Sequence, residues 1–269
     1  MKGRTGMDLK YVIYEKTEGI AKITLNRPEV GNALDLALAK DFFEAVSDVE
    51  SDTSMRVLIV TGAGKAFCAG GNVKYLLEVV SQLTPIEIRN FLMELGKPIM
   101  ALRRLSQPVL AAINGGAVGA GFDLLLHCDL RVAAENAMMG PTWVRNGIIP
   151  VLGSMYILPK LIGQTRATEM ILRGQTVLGK EAEQIGLVNK AVPKENLDGE
   201  VTAMARSLAK MAPLAVSIAK RGLQRGMDLS LHQELEHALY LQATCMKTED
   251  FKRGLLAFLE KREPEFGGN

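Results

Sequence analysis

The stretch Ile113-Asn-Gly-Gly-Ala-Val-Gly-Ala-Gly-Phe-Asp-Leu-Leu-Leu-His-Cys-Asp129 decides how the chain reads. An apolar run, Pro108–Ile113, enters a glycine cluster, Gly115, Gly116, Gly119 and Gly121, and a second apolar segment leaves it. This is the pattern of a strand feeding a helix through a turn where backbone passes unusually close to something. Glycines at such a point leave main-chain N–H groups uncovered, and the helix that begins there adds its partial positive end. The fitting guest is a negative oxygen, either a phosphate or an oxyanion that develops during a reaction.

Upstream lies a second turn of the same kind, Gly64-Lys-Ala-Phe-Cys-Ala-Gly-Gly-Asn-Val-Lys74, again between a buried strand and a helix. Two such turns supply two convergent backbone donors for one oxygen, which is how an enzyme holds an enolate or a tetrahedral oxyanion. The plainer alternative is a pair of ordinary α/β turns. Neither segment fits Gly-x-Gly-x-x-Gly or the Walker pattern at the required place, so nucleotide-phosphate binding has little support.

Around these turns, Tyr11–Tyr14 and Ile20–Leu25 predict a hairpin turning at Glu18-Gly19. Leu38, Phe42, Phe43, Val46 and Val49 follow helical spacing within Asp35–Ser51. Arg56–Thr61 reads as a buried strand. Val73–Leu105 reads as mostly helical with a new start near Thr84-Pro85, Asp123–Cys128 as helical and Leu130–Ala133 as a strand. Alternation of strands and helices to about residue 195 indicates an α/β core over 1–195. Four helices follow, Asn196–Met211, Pro213–Gly226, Leu231–Thr244 and Thr248–Arg262, so 196–269 reads as a helical region suited to oligomerisation.

The chain has 269 residues, 48% of them hydrophobic, enough for a large core, and a net charge of +2. So even a balance argues against a nucleic-acid partner, which needs a concentrated basic face. Cys68, Cys128 and Cys245 form neither a disulfide framework nor a zinc pattern, which points to a reducing cytoplasm. Met1–Lys10 lacks the apolar core of a secretion signal, and no apolar run approaches a membrane span.

Taken together and in order, several segments resemble the enoyl-CoA hydratase/isomerase (crotonase) family over essentially the whole chain. They are Ile23-Thr-Leu-Asn-Arg-Pro28, Gly31-Asn-Ala-Leu34, Lys65–Lys74, Asn114–Asp123, Cys128-Asp129, Leu158–Gly163, Ala182–Val188 and Ala257–Arg262. The resemblance implies an α/β, crotonase-like spiral of ββα units, an acyl-CoA thioester as substrate, and C-terminal helices used to form a trimer or a dimer of trimers. It implies no metal or redox cofactor, coenzyme A being part of the substrate. It also implies that the backbone N–H groups of Gly71 and Ala120 grip the thioester carbonyl. Ala69, Lys74 and the loop Asn26–Ala33 map to regions that contact coenzyme A. Phe258 and Lys261 map to a position that reaches a neighbouring subunit's coenzyme A. For Lys74 and Lys261 the alternative is a solvated surface charge.

The chain departs from the family where the chemistry is done. Hydration in this family uses two glutamates, because holding and splitting water at a double bond divides acid and base work between two groups. The first position is Asp123 and the second is Trp143, which does not exchange protons; Val151 occupies a third position that bears an acid in some branches. A dienoyl-CoA isomerase branch is similar in having Asp at the first position. A 4-chlorobenzoyl-CoA dehalogenase branch shares the Trp, but its nucleophilic Asp falls on Val151. Asp123 is therefore the candidate acid or base, its pKa raised by an apolar setting; the alternative is a carboxylate capping its own helix. Arg145 is a candidate for binding a substrate carboxylate, or else a loop charge. Tyr75 is a candidate acyl-pocket residue. His127 reads as packed, and Asp129 resembles a structural position. The expected activity is isomerase- or decarboxylase-type chemistry on an acyl-CoA rather than plain hydration. The rival is a catalytically silent coenzyme A-binding or assembly subunit.

Overall fold

The structure, a computed structural model, describes Gly3–Arg4 and residues 7–269. The reading of Met1–Lys10 as free of a leader lies partly outside the described residues. Strand β1 (Gly3–Arg4) pairs with β2 (Val12–Thr17), which turns into β3 (Ile20–Leu25). Glu18 and Gly19 both have positive φ, 52° and 76°, the two-residue turn whose twist matches a hairpin. Helix α1 (Leu36–Ser51) starts where the Asp35 carboxylate accepts the Leu38 N–H at 3.0 Å. It buries Leu38, Phe42, Val46 and Val49.

A spiral follows in which each pass lays one strand in a large sheet and the next in a small one. Strands β4 (Val57–Gly62) and β5 (Ala66–Cys68) lead to helices α2 (Val73–Val80) and α3 (Pro85–Arg104). Strands β6 (Val109–Ile113) and β7 (Gly116–Val118) lead to α4 (Ala120–Leu126). Strands β8 (Leu130–Ala134) and β9 (Met138–Gly140) lead through a 3₁₀ turn, Thr142–Asn146, to α5 (Ser154–Ile162) and α6 (Gln164–Arg173). Then come β10 (Val177–Leu178), α7 (Gly179–Gln184) and β11 (Lys190–Val192). The large sheet runs β1-β2-β3-β4-β6-β8-β11, parallel from β3 onward; the small one runs β10-β9-β7-β5.

Strands β4 and β6 are buried at every position, which explains their unbroken apolar sequences: helices cover both faces of this parallel sheet. Leu58, Val60, Val109 and Ala111 face the main core with α1, α3 and α4. Val57, Ile59, Leu110 and Ala112 face Leu197, Val201 and Ala205 of α8 (Leu197–Ala209). Helix α8, beyond residue 195, thus completes the second layer of the sheet. The helices that leave the core are α9 (Pro213–Gly226), α10 (Leu231–Cys245) and α11 (Glu249–Leu259). Lys220 of α9 ties them back: its buried ammonium lies 2.7 Å from Asp129, whose carboxylate also accepts the Val109 N–H at 2.8 Å. Asp129 is therefore a structural joint. Between α9, α10 and α11 runs an apolar cleft of about 1020 Å³. Among the described residues no helix is long and apolar enough to cross a membrane.

Candidate active site

The two glycine-bearing turns come together because their backbones touch. A Cβ on Gly121 would lie 2.1 Å from the Cys68 carbonyl oxygen, and one on Gly115 would lie 1.9 Å from that of Lys65. Two asparagines lock the turns. Asn32, fully buried, donates its amide N–H groups to the carbonyls of Ala63 (3.0 Å), Ala66 (2.8 Å) and Phe67 (3.3 Å). Asn114 donates to Gly62 at 2.8 Å and Gly64 at 3.2 Å.

Leu34 bridges to the first turn: its N–H donates to Gly70 O and its carbonyl accepts from Asn72 N–H. The bridge uses the amides on either side of Gly71 and leaves the Gly71 N–H outside the ladder. Ala120 is the first residue of α4, so its N–H has no intrahelical acceptor. Gly70 (φ 94°) and Gly119 (φ 54°), the residues before Gly71 and Ala120, supply left-handed bends in the backbone that leads into both amides. A Cβ on Gly70 would stand 3.5 Å from Ala120 N, and one on Gly119 would stand 3.8 Å from Gly70 Cα and 3.9 Å from the Trp143 ring.

Asp123 is fully buried on α4. That helix starts at Ala120, three residues before the predicted Asp123–Cys128, so the side chain does not cap its own helix. It caps another. Its Oδ1 accepts the Ser154 N–H at 3.1 Å and the Ser154 hydroxyl, at the N-terminus of α5. Among the described residues its Oδ2 has no hydrogen-bond partner, and neither does the buried Trp143 indole N–H, which lies close enough to act on the carboxyl without closing a bond. Burial pushes the Asp123 carboxyl up to about 6, against the downward pull of the two Ser154 donors and, last, of the Trp143 N–H.

The other predicted site residues stand further out. Ala69 is exposed and donates its N–H to Gly31 O at 2.9 Å; Lys74 is exposed on α2. Tyr75 is half-buried against Phe91 of α3, with ring centroids 5.9 Å apart. Arg145 is exposed, its stem lying over Gly174 at the end of α6, which is the loop-charge arrangement. Phe258, 81% exposed, and Lys261 lie at the end of α11. Ser154 is the residue that sequence reasoning missed. Its signal was present, since Gly153-Ser154 precedes an apolar helical run in the manner of a helix start.

The sequence profile of the family described as Enoyl-CoA hydratase/isomerase matches residues 15–269. The chain belongs to that family. The short-chain-enoyl-CoA hydratase of Clostridium acetobutylicum is 35% identical over 260 residues, 96% of this chain and 98% of the relative. The (E)-benzylidenesuccinyl-CoA hydratase of Thauera aromatica is 35% identical over 258 residues, 96% of this chain and 99% of the relative. A crystal structure of enoyl-CoA hydratase from Bacillus anthracis superposes with a TM-score of 0.91 at 35% identity, covering 97% of this chain and 100% of that one. As a member of the enoyl-CoA hydratase/isomerase family the chain is an enzyme of acyl-CoA chemistry, with the crotonase fold.

Proposed function

We propose that this enoyl-CoA hydratase/isomerase-family enzyme binds an acyl-CoA thioester, holds its enolate with the N–H groups of Gly71 and Ala120, and moves protons with one carboxyl, Asp123. The observation that carries this reading is the fully buried Asp123 with one free oxygen and a pKa of about 6, beside a tryptophan where a second carboxyl is expected. A base with that pKa is largely ionised at neutral pH yet strong enough to take a proton from a carbon made acidic by the polarised thioester. One carboxyl suffices to lift a proton from one carbon and return it to another, so isomerisation leads. Decarboxylation, which generates the same enolate with less acid–base help, comes next. The exposed position of Arg145 offers decarboxylation no carboxylate anchor beside Asp123.

A second reading is favoured by a specific pairing. Among the described residues neither the Asp123 Oδ2 acceptor nor the Trp143 N–H donor is hydrogen-bonded, and the two are near enough for the N–H to act on the carboxyl. One water or one substrate hydroxyl satisfies both, giving a hydration in which a single carboxyl takes the proton from water and returns it to the neighbouring carbon. The hydratase names of the relatives agree with it.

Coenzyme A contacts are assigned to Ala69, Lys74 and the Asn26–Ala33 loop, acyl contacts to Tyr75 and Trp143, and a neighbouring subunit's coenzyme A to Phe258 and Lys261. The last assignment requires a homo-oligomer built on the part of 196–269 that follows α8, and the exposed apolar side chains of α9–α11 suit it. Turnover of enoyl-, dienoyl- and malonyl-type CoA thioesters by wild type, Asp123→Asn and Trp143→Phe tests the scheme. Asp123→Asn is expected to lose at least about 100-fold in proton-transfer turnover. Hydration by wild type that is lost in Trp143→Phe selects the water-gripping reading; isomerisation by wild type without hydration, unchanged in Trp143→Phe, selects the first. Malonyl turnover that survives Asp123→Asn selects decarboxylation. Silence across the panel with coenzyme A bound gives the lead to a non-catalytic subunit.

A further inference from the structure

Asp123 and His127 stand one helical turn apart on α4, and both face the turn Leu152-Gly153-Ser154 at the head of α5. His127 Nε2 lies 2.6 Å from the Leu152 carbonyl oxygen. A carbonyl only accepts, so Nε2 carries the proton. Burial holds the imidazole below its usual range, which keeps the ring neutral. Gly153 between the two contacts has φ 111°, and a Cβ there would lie 2.9 Å from His127 Nε2, so the turn seats directly on the imidazole. Ser154, fully buried, then directs both its N–H and its hydroxyl at Asp123 Oδ1. The carboxyl is left asymmetric, with both Ser154 donors on Oδ1 and, among the described residues, no hydrogen bond to Oδ2.

We propose that Ser154, seated by His127 through the Leu152 carbonyl, is a positioning residue that fixes Asp123 so that Oδ2 alone meets the substrate. The inference rests on Asp123 acting as the base. When Oδ2 removes a proton from carbon, the C–H pair passes to the thioester oxygen and an O–H bond forms at Oδ2. The saturated Oδ1 does not compete for that proton, so it is returned from the atom that took it. A single-carboxyl enzyme needs this, because no second group corrects a proton stored in the wrong place. The groups that act on Asp123 are Ser154 from α5 and Trp143 from the 3₁₀ turn; Cys68 of β5, its thiol pushed up to about 12 by burial, packs under Gly121 of the same helix, and the charge of Arg103 of α3 acts on His127.

The test follows the Asp123 carboxyl directly, by carbon-13 labelling of aspartate and titration of the full-length enzyme, alongside the pH profile of kcat/KM. Asp123→Asn assigns the resonance. Removing a donor to the ionised form raises its pKa, so Ser154→Ala is expected to raise both the carboxyl midpoint and the acid limb of the profile by about one pH unit. Ser154→Thr is expected to restore both. A folded Ser154→Ala enzyme with wild-type midpoint and acid limb overturns the positioning role. Should Ser154→Ala not fold, Ser154→Cys replaces it: a raised midpoint against Ser154→Thr supports the role, and equal midpoints overturn it. Wild-type turnover in Asp123→Asn overturns the base assignment and, with it, the positioning role. A dead Asp123→Asn with an unmoved Ser154→Ala sinks the positioning role alone.

Discussion

Asp123, the proposed base, is a side chain whose burial sets stability against the chemistry proposed for it. Its pKa moves from 3.8 to about 6 because the folded protein disfavours the charge. The folded state therefore binds a proton that the unfolded state has released between about pH 4 and pH 6, and stability falls as pH rises through that window. At neutral pH the ionised carboxyl costs roughly 3 kcal/mol. Asp123→Asn should thus be the more stable protein near pH 7 while turnover collapses, and its advantage should shrink toward pH 4. Denaturant unfolding of both proteins across that range checks the sign, and a gap that widens on acidification refutes it. The residue's candidacy was legible from its place after the glycine turn and from the missing second carboxyl. Its partner Ser154 lies 31 positions away, and hydrogen bonds at that range leave no periodicity to read.

The long, periodic elements were legible in the sequence. The hairpin at Glu18-Gly19, the helix after Asp35 and the helix start at Thr84-Pro85 match local rules that act within a few residues. The small sheet was not. Its strands β5, β7 and β9 are three residues each, too short for alternation to show; β5 and β7 read as parts of the glycine turns, and β9 gave no reading. The glycines were read correctly as marks of close approach but with the wrong neighbour in several cases. Gly115 and Gly121 make room for carbonyls of the preceding turn, whereas Gly70 and Gly119 bend the chain at the candidate oxyanion site. Gly121→Ala would drive a methyl into the Cys68 carbonyl and push α4 off β5. A stability loss of about 3 kcal/mol is expected by chemical denaturation, with activity falling alongside because Ala120 moves with the helix. A wild-type unfolding midpoint would show that the contact relaxes freely.

Across the whole molecule, apolar surface accumulates on the last three helices. Leu223, Leu231, Leu239, Tyr240 and Phe258 are each more than 60% exposed, a concentration that a monomer in water does not favour. Sedimentation should show a homo-oligomer, and Leu239→Asp combined with Tyr240→Asp should shift it toward monomer; a wild-type chain that sediments as a monomer refutes the oligomer. The two asparagines that lock the turns set a different property, the lifetime of the assembled enzyme. Asn114 is followed by Gly115, the dipeptide at which an unconstrained chain most readily closes to a succinimide and loses the amide. Here the amide is engaged by Gly62 and Gly64 and the glycine is pressed against Lys65, so ring closure is opposed for as long as the turn stays folded. Each transient opening exposes the pair to the reaction, and the carboxylate it leaves would face two carbonyls and hold the turn apart. The same joint that shapes the candidate oxyanion site is thereby a chemical clock, and ligands that keep it closed should slow the ageing of the protein.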